Sequence, residues 1–466
     1  MNAGPVPAAV AARPLQSAMS ERTRRLLHDP ILPLLLRMAW PNILIMLAQA
    51  STGLIETWWV SHLGTAALAG MALVFPPLML TQMISAGAMG GGISSAIARA
   101  LGGGRQDEAD ALVLHAVIVN LAIGLAVSAV FLLWGRPIFA LLGGEGAALD
   151  AAVTYANVVF AGNALLWLLN GLASVIRGTG NMLVPALVIC AGVVVLVPLS
   201  PVLIFGLGPL PGLGIAGGGV ALVLFYAGGT AVLGWYILSG RNLARFRWVA
   251  PRWALFRAIL RVGAVGAVTS LQTNVTIALL TALTAGAAGT AAVAGFGTAV
   301  RLEYLLVPLV FGLGAPVVAL VGTNVGAGQD ARALRIALTA GAIAFAMTES
   351  IGLAAALWPE AWLALFSAEP DMLAAGSAYL RTVGPVYGFF GLGLVLYFAS
   401  QGAGQLLWPL GIGFLRLAIA AGGGWLALTA TGSLDWLFAA AAAALVTYGT
   451  TLGLAVRSGV WFRGLR

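Results

Sequence analysis

The sequence predicts an all-α polytopic membrane protein: twelve transmembrane helices in two pseudo-symmetric six-helix bundles, arranged as parallel repeats. Three observations predict it. The 466 residues are 61% hydrophobic and only 8% charged, with a mean hydropathy of +1.00, whereas a water-soluble domain carries about a quarter charged residues. Apolar runs of about twenty residues, enough to cross a bilayer, recur along the chain. The chain also repeats itself at a shift of about 224 residues.

Twelve spans are expected at about 33–57, 68–97, 111–134, 152–173, 182–206, 214–238, 260–285, 293–321, 333–358, 375–399, 408–429 and 434–456. They divide into an N-lobe at 30–238, a linker at 239–259 and a C-lobe at 260–456, flanked by cytoplasmic tails at 1–29 and 457–466. The first tail has no apolar core before Ile31 and does not read as a cleavable signal. All 23 basic residues are arginine, a weak hint of a bacterium with a GC-rich genome. They fall on one side of the twelve-span count: Arg22, Arg24, Arg25 and Arg37 before span 1, Arg99 and Arg105 after span 2, Arg177 after span 4, six between Arg241 and Arg261 after span 6, Arg332 and Arg335 after span 8, and Arg457, Arg463 and Arg466 at the end. The opposite loops carry Glu145, Asp150, Glu360, Glu369 and Asp371, with Arg136 the main exception. The positive-inside rule then puts both termini in the cytoplasm, in the inner membrane of a bacterial cell.

The repeat has a fixed register. "GTAALAG" at 64–70 returns as "GTAAVAG" at 289–295, a shift of 225, and "ALGGGRQDEADAL" at 100–112 resembles "NVGAGQDARALRI" at 324–336. Trp134, Tyr155, Gly178, Gly180 and Pro185 recur as Trp358, Tyr379, Gly402, Gly404 and Pro409, each shifted by 224. Six spans per unit start each unit on the same side, so the units are parallel repeats with a cavity expected between them. Gly87/Gly91 and Gly214/Gly218 have the small-xxx-small spacing that lets helices approach.

One residue stands out within the first apolar run, which is otherwise apolar or weakly polar: Glu56, in "LIETWWVSHLGTAALAG". At 100° per residue, Asn42, Gln49, Gly53 and Glu56 share a face of span 1, with Thr52 close by. Ser270, Asn274, Thr281 and Thr284 form a similar stripe on span 7, where Thr281 occupies the shifted position of Glu56. Intramembrane acids are costly and mark ion or proton pathways, so Glu56 reads as a cation-coupling residue that changes charge during a cycle. The competing reading is a side chain snorkelling to the headgroups beside Trp58 and Trp59. Glu303 lies near mid-membrane, either in a structural ion pair with another helix or in a functional site. Glu349 reads as structural or interfacial, His115 as interfacial, and Arg416 as reaching the inner headgroups or a helix end.

Several classes are disfavoured. The scattered arginines do not form a nucleic-acid face. Cys190 is alone, so no internal disulfide forms, and His28, His62 and His115 lack metal-ligand spacing. A phosphate-cradling Walker loop needs a lysine, and there is none. No cluster of Asp, His or Glu suggests an enzyme, and no ring of charge suggests a channel. No cofactor is expected.

Several segments resemble the multidrug and toxic compound extrusion (MATE) family. "WPNILIMLAQASTGLIETWWVSHLGTAALAG" is similar to its first helix and loop, "GGGRQDEA" and "VGTNVGAGQDARA" to its paired cytoplasmic loops, and "VIRGTGNMLVPALVICAG" and "GFGTAVRLEYLLVPLVFGLGAPVVALVG" to its helix 4–5 and helix 8 signatures. The resemblance implies cation-coupled export of organic, often cationic or amphipathic, small molecules by alternating access. The family usually places Asp-Thr where this chain has Glu56-Thr57, and many members carry Asn and Asp on helix 5 where "LVPLSPVLIFG" has Leu196 and Ser200. With two oxygen-rich partners of the usual site replaced, a proton is expected as the coupling ion rather than sodium. The single span 1 acid resembles the DinF-like branch. The expected site comprises Glu56, an N-lobe cavity with Asn42, Gln49, Thr52, Gly53 and Ser200, and a C-lobe cavity with Ser270, Asn274, Thr281 and Glu303, in a monomer bathed by the lipid bilayer. The alternative is a lipid-linked oligosaccharide flippase of the related superfamily, disfavoured because most arginines map to loops and not to a cavity.

Overall fold

The computed structural model describes residues 20–208 and 210–462. Arg463 and Arg466, and residues 1–19 of the expected N-terminal tail, lie outside the described residues. A short helix, α1 (Glu21–His28), opens the described chain, with the Ser20 side chain accepting from the Thr23 N–H. The long elements follow as α2 (Ile31–Ser61), α3 (Thr65–Gly102), α4 (Gln106–Leu141), α5 (Gly146–Ala161), α6 (Asn163–Gly178), α7 (Leu183–Phe205), α8 (Ile215–Leu238), α9 (Trp253–Gly326), α10 (Asp330–Leu357), the short α11 (Pro359–Leu363), α12 (Pro370–Ala403), α13 (Leu407–Thr431) and α14 (Leu434–Arg457). A two-residue ribbon pairs Gly206–Leu207 with Leu210–Pro211 between α7 and α8.

Ten of these helices are long and apolar enough to cross a membrane, and α5 with α6, bent by 46° at their break, make an eleventh span. The twelfth is hidden in α9. Its 74 residues would reach about 110 Å as one straight helix, several times the hydrocarbon thickness. The chain instead turns at Gly289, with φ 73° and ψ −166°, a conformation a side chain would oppose. Gly64, which stands 225 residues earlier and opens α3, has φ 103°. The two homologous glycines thus make the same turn. Gly104 and Gly328, with φ 71° and 72°, repeat the match at the other end of the same helices. The spans extend several residues beyond their apolar cores because polar ends continue the helix outside the hydrocarbon.

One apolar core, from Val60 to Ile259, lies within the N-terminal six spans and the linker that follows them, and another, from Leu280 to Leu445, within the C-terminal six. A third core joins Leu26 and the start of α2 to Val310–Val321, Val395–Ala403 and Trp461. The helix α1 is therefore docked and not a tail. The Asn324 amide donates to Leu26 O at 3.2 Å and Arg332 donates to Asp29 O.

The halves meet at the arginine-rich end. A Cβ on Gly102 would fall 2.0 Å from Thr323 O, and one on Gly326 would fall 2.2 Å from Arg99 O. These are reciprocal contacts between α3 and the second limb of α9. Gly92 presses on Ile259 and Gly263 in the same way. At the opposite end of these helices Gly64, Gly286 and Gly289 face open space. Arg136, the exception to the arginine pattern, pairs there with Asp150 at 2.9 Å.

Two expectations change, and the Glu349 reading narrows to its structural alternative. His115 is buried, not interfacial: Nδ1 bonds Ala111 O at 2.8 Å and Nε2 accepts the Arg252 N–H at 2.9 Å, which fastens the linker to α4. Gly214 precedes α8 with φ 59° and a Cβ there would meet open space, so it forms no helix-packing motif with Gly218. Gly91 does pack closely, against the Gln401 side chain. Glu349 is half-buried and structural, accepting the Gly388 N–H at 2.6 Å where α12 is interrupted.

Gly102→Leu should wedge the halves apart at the arginine-rich end, since overpacking of this kind costs about 1–3 kcal/mol. Nitroxide labels at Asp107→Cys and Asp330→Cys should read a longer distance in the variant. An unchanged distance with unchanged thermal stability would refute the close approach.

Candidate functional site

Span α2 carries two faces. Leu36, Trp40, Leu47, Leu54 and Trp58 are exposed and face lipid, while Asn42, Ile45, Thr52, Glu56 and Val60 are buried. Of the stripe read from spacing, Asn42 and Glu56 are buried and Gln49 and Gly53 half-buried. Asn42 donates weakly to Met38 O at 3.4 Å, and Thr52 donates to Ala48 O at 2.9 Å. Glu56 is 6% exposed and its Oε1 has no hydrogen-bond partner among the described residues. Snorkelling into headgroups does not describe such a side chain.

The neighbours of Glu56 come from α5, α7 and α8. Ile45 shares a core with Ala186 and Ile189, and Trp59 meets Phe205 edge-on with ring centroids 6.1 Å apart. The helices α2 and α7 therefore run parallel with an offset of 141 to 146 residues, which puts Glu56 at the depth of residues 197–202. Ser200 is 1% exposed and its hydroxyl also lacks a partner. Leu196, one turn below, offers no oxygen. Tyr155 and Tyr226 lie close enough to Glu56 to feel its charge, and Tyr155 stands beside Gly218 and Ile204. These tyrosines were not legible as site residues, although Tyr155 is one of the repeated positions.

In the C-terminal half Glu303 is buried on the second limb of α9 and accepts a hydrogen bond from the Tyr379 hydroxyl. Tyr379 is the repeat counterpart of Tyr155. Glu303, Tyr379, Thr276 and Arg416 line one cavity of about 20 Å³, room for about one water. Arg416 is thus buried, not at the headgroups: its guanidinium carbon lies 5.3 Å from the Tyr448 ring and 5.8 Å from the Phe390 ring. A continuous helix carries Thr276 about 120° to 160° around from Ser270, Asn274 and Thr281, and these three do not line that cavity. Each is half-buried and bonds back to its own helix, at Gly266 O, Ser270 O and Ile277 O. Burial aligns Glu56 with Leu280 and Thr52 with Thr276 at a shift of 224, not with Thr281 at 225.

Between the halves lies a second cavity of about 20 Å³, lined by Ser94, Ser174, Arg177, Phe311, Phe398 and Gln401 among others. Arg177 is not a loop residue. It sits in the last turn of α6, is 5% exposed, and leaves Nε without a partner. No carboxylate lines this cavity. The 224 shift makes Gln401 its counterpart, and the Gln401 amide donates to the Tyr397 hydroxyl at 2.8 Å. Pairing "RGTG" with "QGAG" across the repeat was the signal for Arg177. Arg99 likewise belongs to a helix, and donates across the halves to Gly402 O at 3.0 Å. Among the described residues no cluster of three or more His, Cys, Asp or Glu offers a metal site.

The two carboxylates therefore differ in support, and Tyr379→Phe should cost about 0.5–2 kcal/mol by removing a buried intramembrane hydrogen bond, while Tyr155→Phe costs much less. Thermal unfolding of the two variants tests this; equal losses would mean Glu56 is as firmly bonded as Glu303.

The MatE family model matches the chain twice, at residues 41–202 and 267–426, offset by 226 residues at the start and 224 at the end, close to the internal repeat. An FAD transporter of Shewanella oneidensis is 28% identical over 380 residues, covering 80% of this chain and 82% of the relative. A probable multidrug resistance protein NorM of Thermotoga maritima is 23% identical over 386 residues, covering 82% of each. Among solved structures, a multidrug resistance MATE family transporter in an outward-facing conformation has a TM-score of 0.85 at 23% identity, covering 94% of this chain and 98% of that one. A MOP superfamily transporter from Pyrococcus furiosus gives the same score and coverage at 22% identity. Matched over more than half of its length, in two repeats, the chain belongs to the MatE family of multidrug and toxic compound extrusion transporters.

Proposed function

We propose that the chain exports organic small molecules by alternating access between its two six-helix halves, driven by proton uptake at Glu56. The observation that carries the coupling is the buried Glu56 carboxylate with an unpartnered oxygen. Burying an unpaired charge is costly, and a proton removes that charge. Sodium would need several oxygen ligands, and Leu196 supplies none at the turn below Ser200. Arginine placement supports a bacterial inner membrane with both termini cytoplasmic, and the closed arginine-rich end then describes an outward-facing arrangement. Protonation of Glu56 from outside would let the N-terminal helices repack and expel the solute; release inside resets the site. A monomer contains both halves and needs no second copy. The relatives named for multidrug resistance support a broad range of organic substrates, cationic or amphipathic.

A second reading concerns substrate charge, and Arg177 favours it. A buried guanidinium between the halves, with no acid lining its cavity, suits a solute with an anionic group better than a cation. The relative named an FAD transporter supports the same direction. Little in this cavity supports the lipid-linked oligosaccharide flippase, because Arg177 is the one cation in its lining.

Proteoliposomes decide the coupling. Export should follow an imposed pH gradient without sodium; export that follows sodium and ignores pH would overturn it. Glu56→Gln should abolish gradient-driven export, whereas Glu303→Gln should reduce it less at matched expression. Equal loss would move Glu303 into the coupling site. Arg177→Gln should reduce transport of FAD more than transport of a cationic dye such as ethidium, and the reverse order would restore a cationic substrate.

A further inference from the structure

At the arginine-rich end a cavity of about 930 Å³ opens between α1, the start of α2, the turn before α7 and residues 240–245. Five guanidinium side chains stand in its wall, those of Arg22, Arg25, Arg37, Arg241 and Arg245, against one carboxylate, Glu21. Glu21 is paired with Arg25. Among the described residues no acid forms an ion pair with the other four, and Arg241 lies instead over the Trp235 ring at 4.5 Å. Residues 1–19 and 463–466 contain no Asp or Glu, so those segments hold nothing to neutralise the excess. The wall carries five arginines against one glutamate, and the Asp110 carboxylate, outside the wall, accepts the Arg245 backbone N–H at 2.8 Å, which leaves Arg22, Arg37 and Arg241 as the arginines with no acid bonded to them among the described residues.

A separate feature lies one helical turn along α7. An apolar groove of about 510 Å³ runs between α7 and α8, lined by Leu187, Val195, Leu199, Leu224, Phe225 and Gly228 among others. Leu183 belongs to the wall of the basic cavity and Leu187 to the groove. They are four residues apart and so lie on one helix face, 44% and 59% exposed. From Leu187 to Leu199 the groove follows about 18 Å of helix, close to the ~15 Å hydrocarbon depth of one leaflet. Trp40, half exposed in the wall of the basic cavity, is the residue type that anchors at headgroup level.

We propose that the basic cavity and this groove form one binding site for an anionic phospholipid of the adjacent leaflet. The phosphate sits among Arg22, Arg37 and Arg241, and an acyl chain lies along α7 and α8. A soluble phosphate compound shares the headgroup chemistry and has nothing to place in the groove, which favours the lipid.

Native mass spectrometry of the purified full chain tests the site, with phosphatidylglycerol and phosphatidylcholine of identical acyl chains as probes and ADP as the soluble anion. Phosphatidylglycerol should bind at least tenfold more tightly than phosphatidylcholine. Combined Arg22→Gln, Arg37→Gln and Arg241→Gln should weaken it about a hundredfold, roughly fivefold per guanidinium, and remove the preference. Gly228→Phe fills the groove where a Cβ meets open space, and should weaken phosphatidylglycerol about tenfold without altering ADP binding. Should the triple variant fail to fold, the wild-type preference and Gly228→Phe still decide. Equal binding of the two lipids, an undiminished preference in a folded triple variant, or tight ADP binding with no lipid binding would each overturn the proposal.

Discussion

A charge inside hydrocarbon must find a partner, change form, or reach water, and the buried carboxylates of this chain take different routes. Glu303 finds partners: the Tyr379 hydroxyl bonds it and Arg416 shares its cavity. Glu56 has one oxygen with no bond, among groups that give it little, with Tyr155 and Tyr226 near and Leu196 a turn away from Ser200. The first arrangement holds a side chain in one state. The second leaves a carboxylate oxygen without a partner among the described residues.

The tightest contact between the halves is made by backbone. Glycines at 92, 102 and 326 bring backbones together at the arginine-rich end, where any side chain would collide. Contacts of this kind are short-ranged: a separation of an ångström or so forfeits much of the attraction. The interface is thus either made or broken and does not stretch, which is what a two-state rearrangement requires. Helix α1 touches both sides of this closure, its Leu26 side chain near Gly180 and its Leu26 carbonyl bonded by Asn324.

Much of the fold was legible because a membrane punishes departures from a simple pattern. Apolar length marks the spans, and a register of 224 to 225 marks the two units. The join between spans 7 and 8 was visible too, since Gly289 repeats Gly64. Depth was harder to read. Arg177 and Arg99 end helices, and counting charges along the chain puts such residues in loops. His115, Glu349 and Arg416 are held by partners far away in sequence, which no local pattern reveals. The C-terminal stripe shows the limit of helical spacing: Ser270, Asn274 and Thr281 do share a face, but each satisfies itself on its own helix, and the buried face carries Gln272, Thr276 and Thr284 instead. Periodicity groups residues without saying which group faces inward, and a one-residue difference in the repeat shift was enough to pair Glu56 with Thr281 and not with the buried Leu280.

The repeat also explains why the carboxylates are not equivalent. Tyr155 and Tyr379 occupy the same position in their halves, yet the acid near each comes from a different helix. Glu56 comes from α2, and its counterpart is Leu280; Glu303 comes from the second limb of α9, and its counterpart is Met79. Each half thus keeps the tyrosine and fills the remaining space differently. Approach from α9 lets Tyr379 donate directly, whereas approach from α2 leaves Glu56 unbonded. The helix that carries the unbonded acid is also the one pressed against the other half: a Cβ on Gly312 would fall 2.7 Å from the Ile43 side chain, and Leu34 to Ala39 join the core of the C-terminal spans. Ile43 and Glu56 are 13 residues apart, about 20 Å along α2. Glu303, nine residues before Gly312, also lies on a helix that touches both halves, so the two acids differ in their hydrogen bonding and not in their reach to the interface.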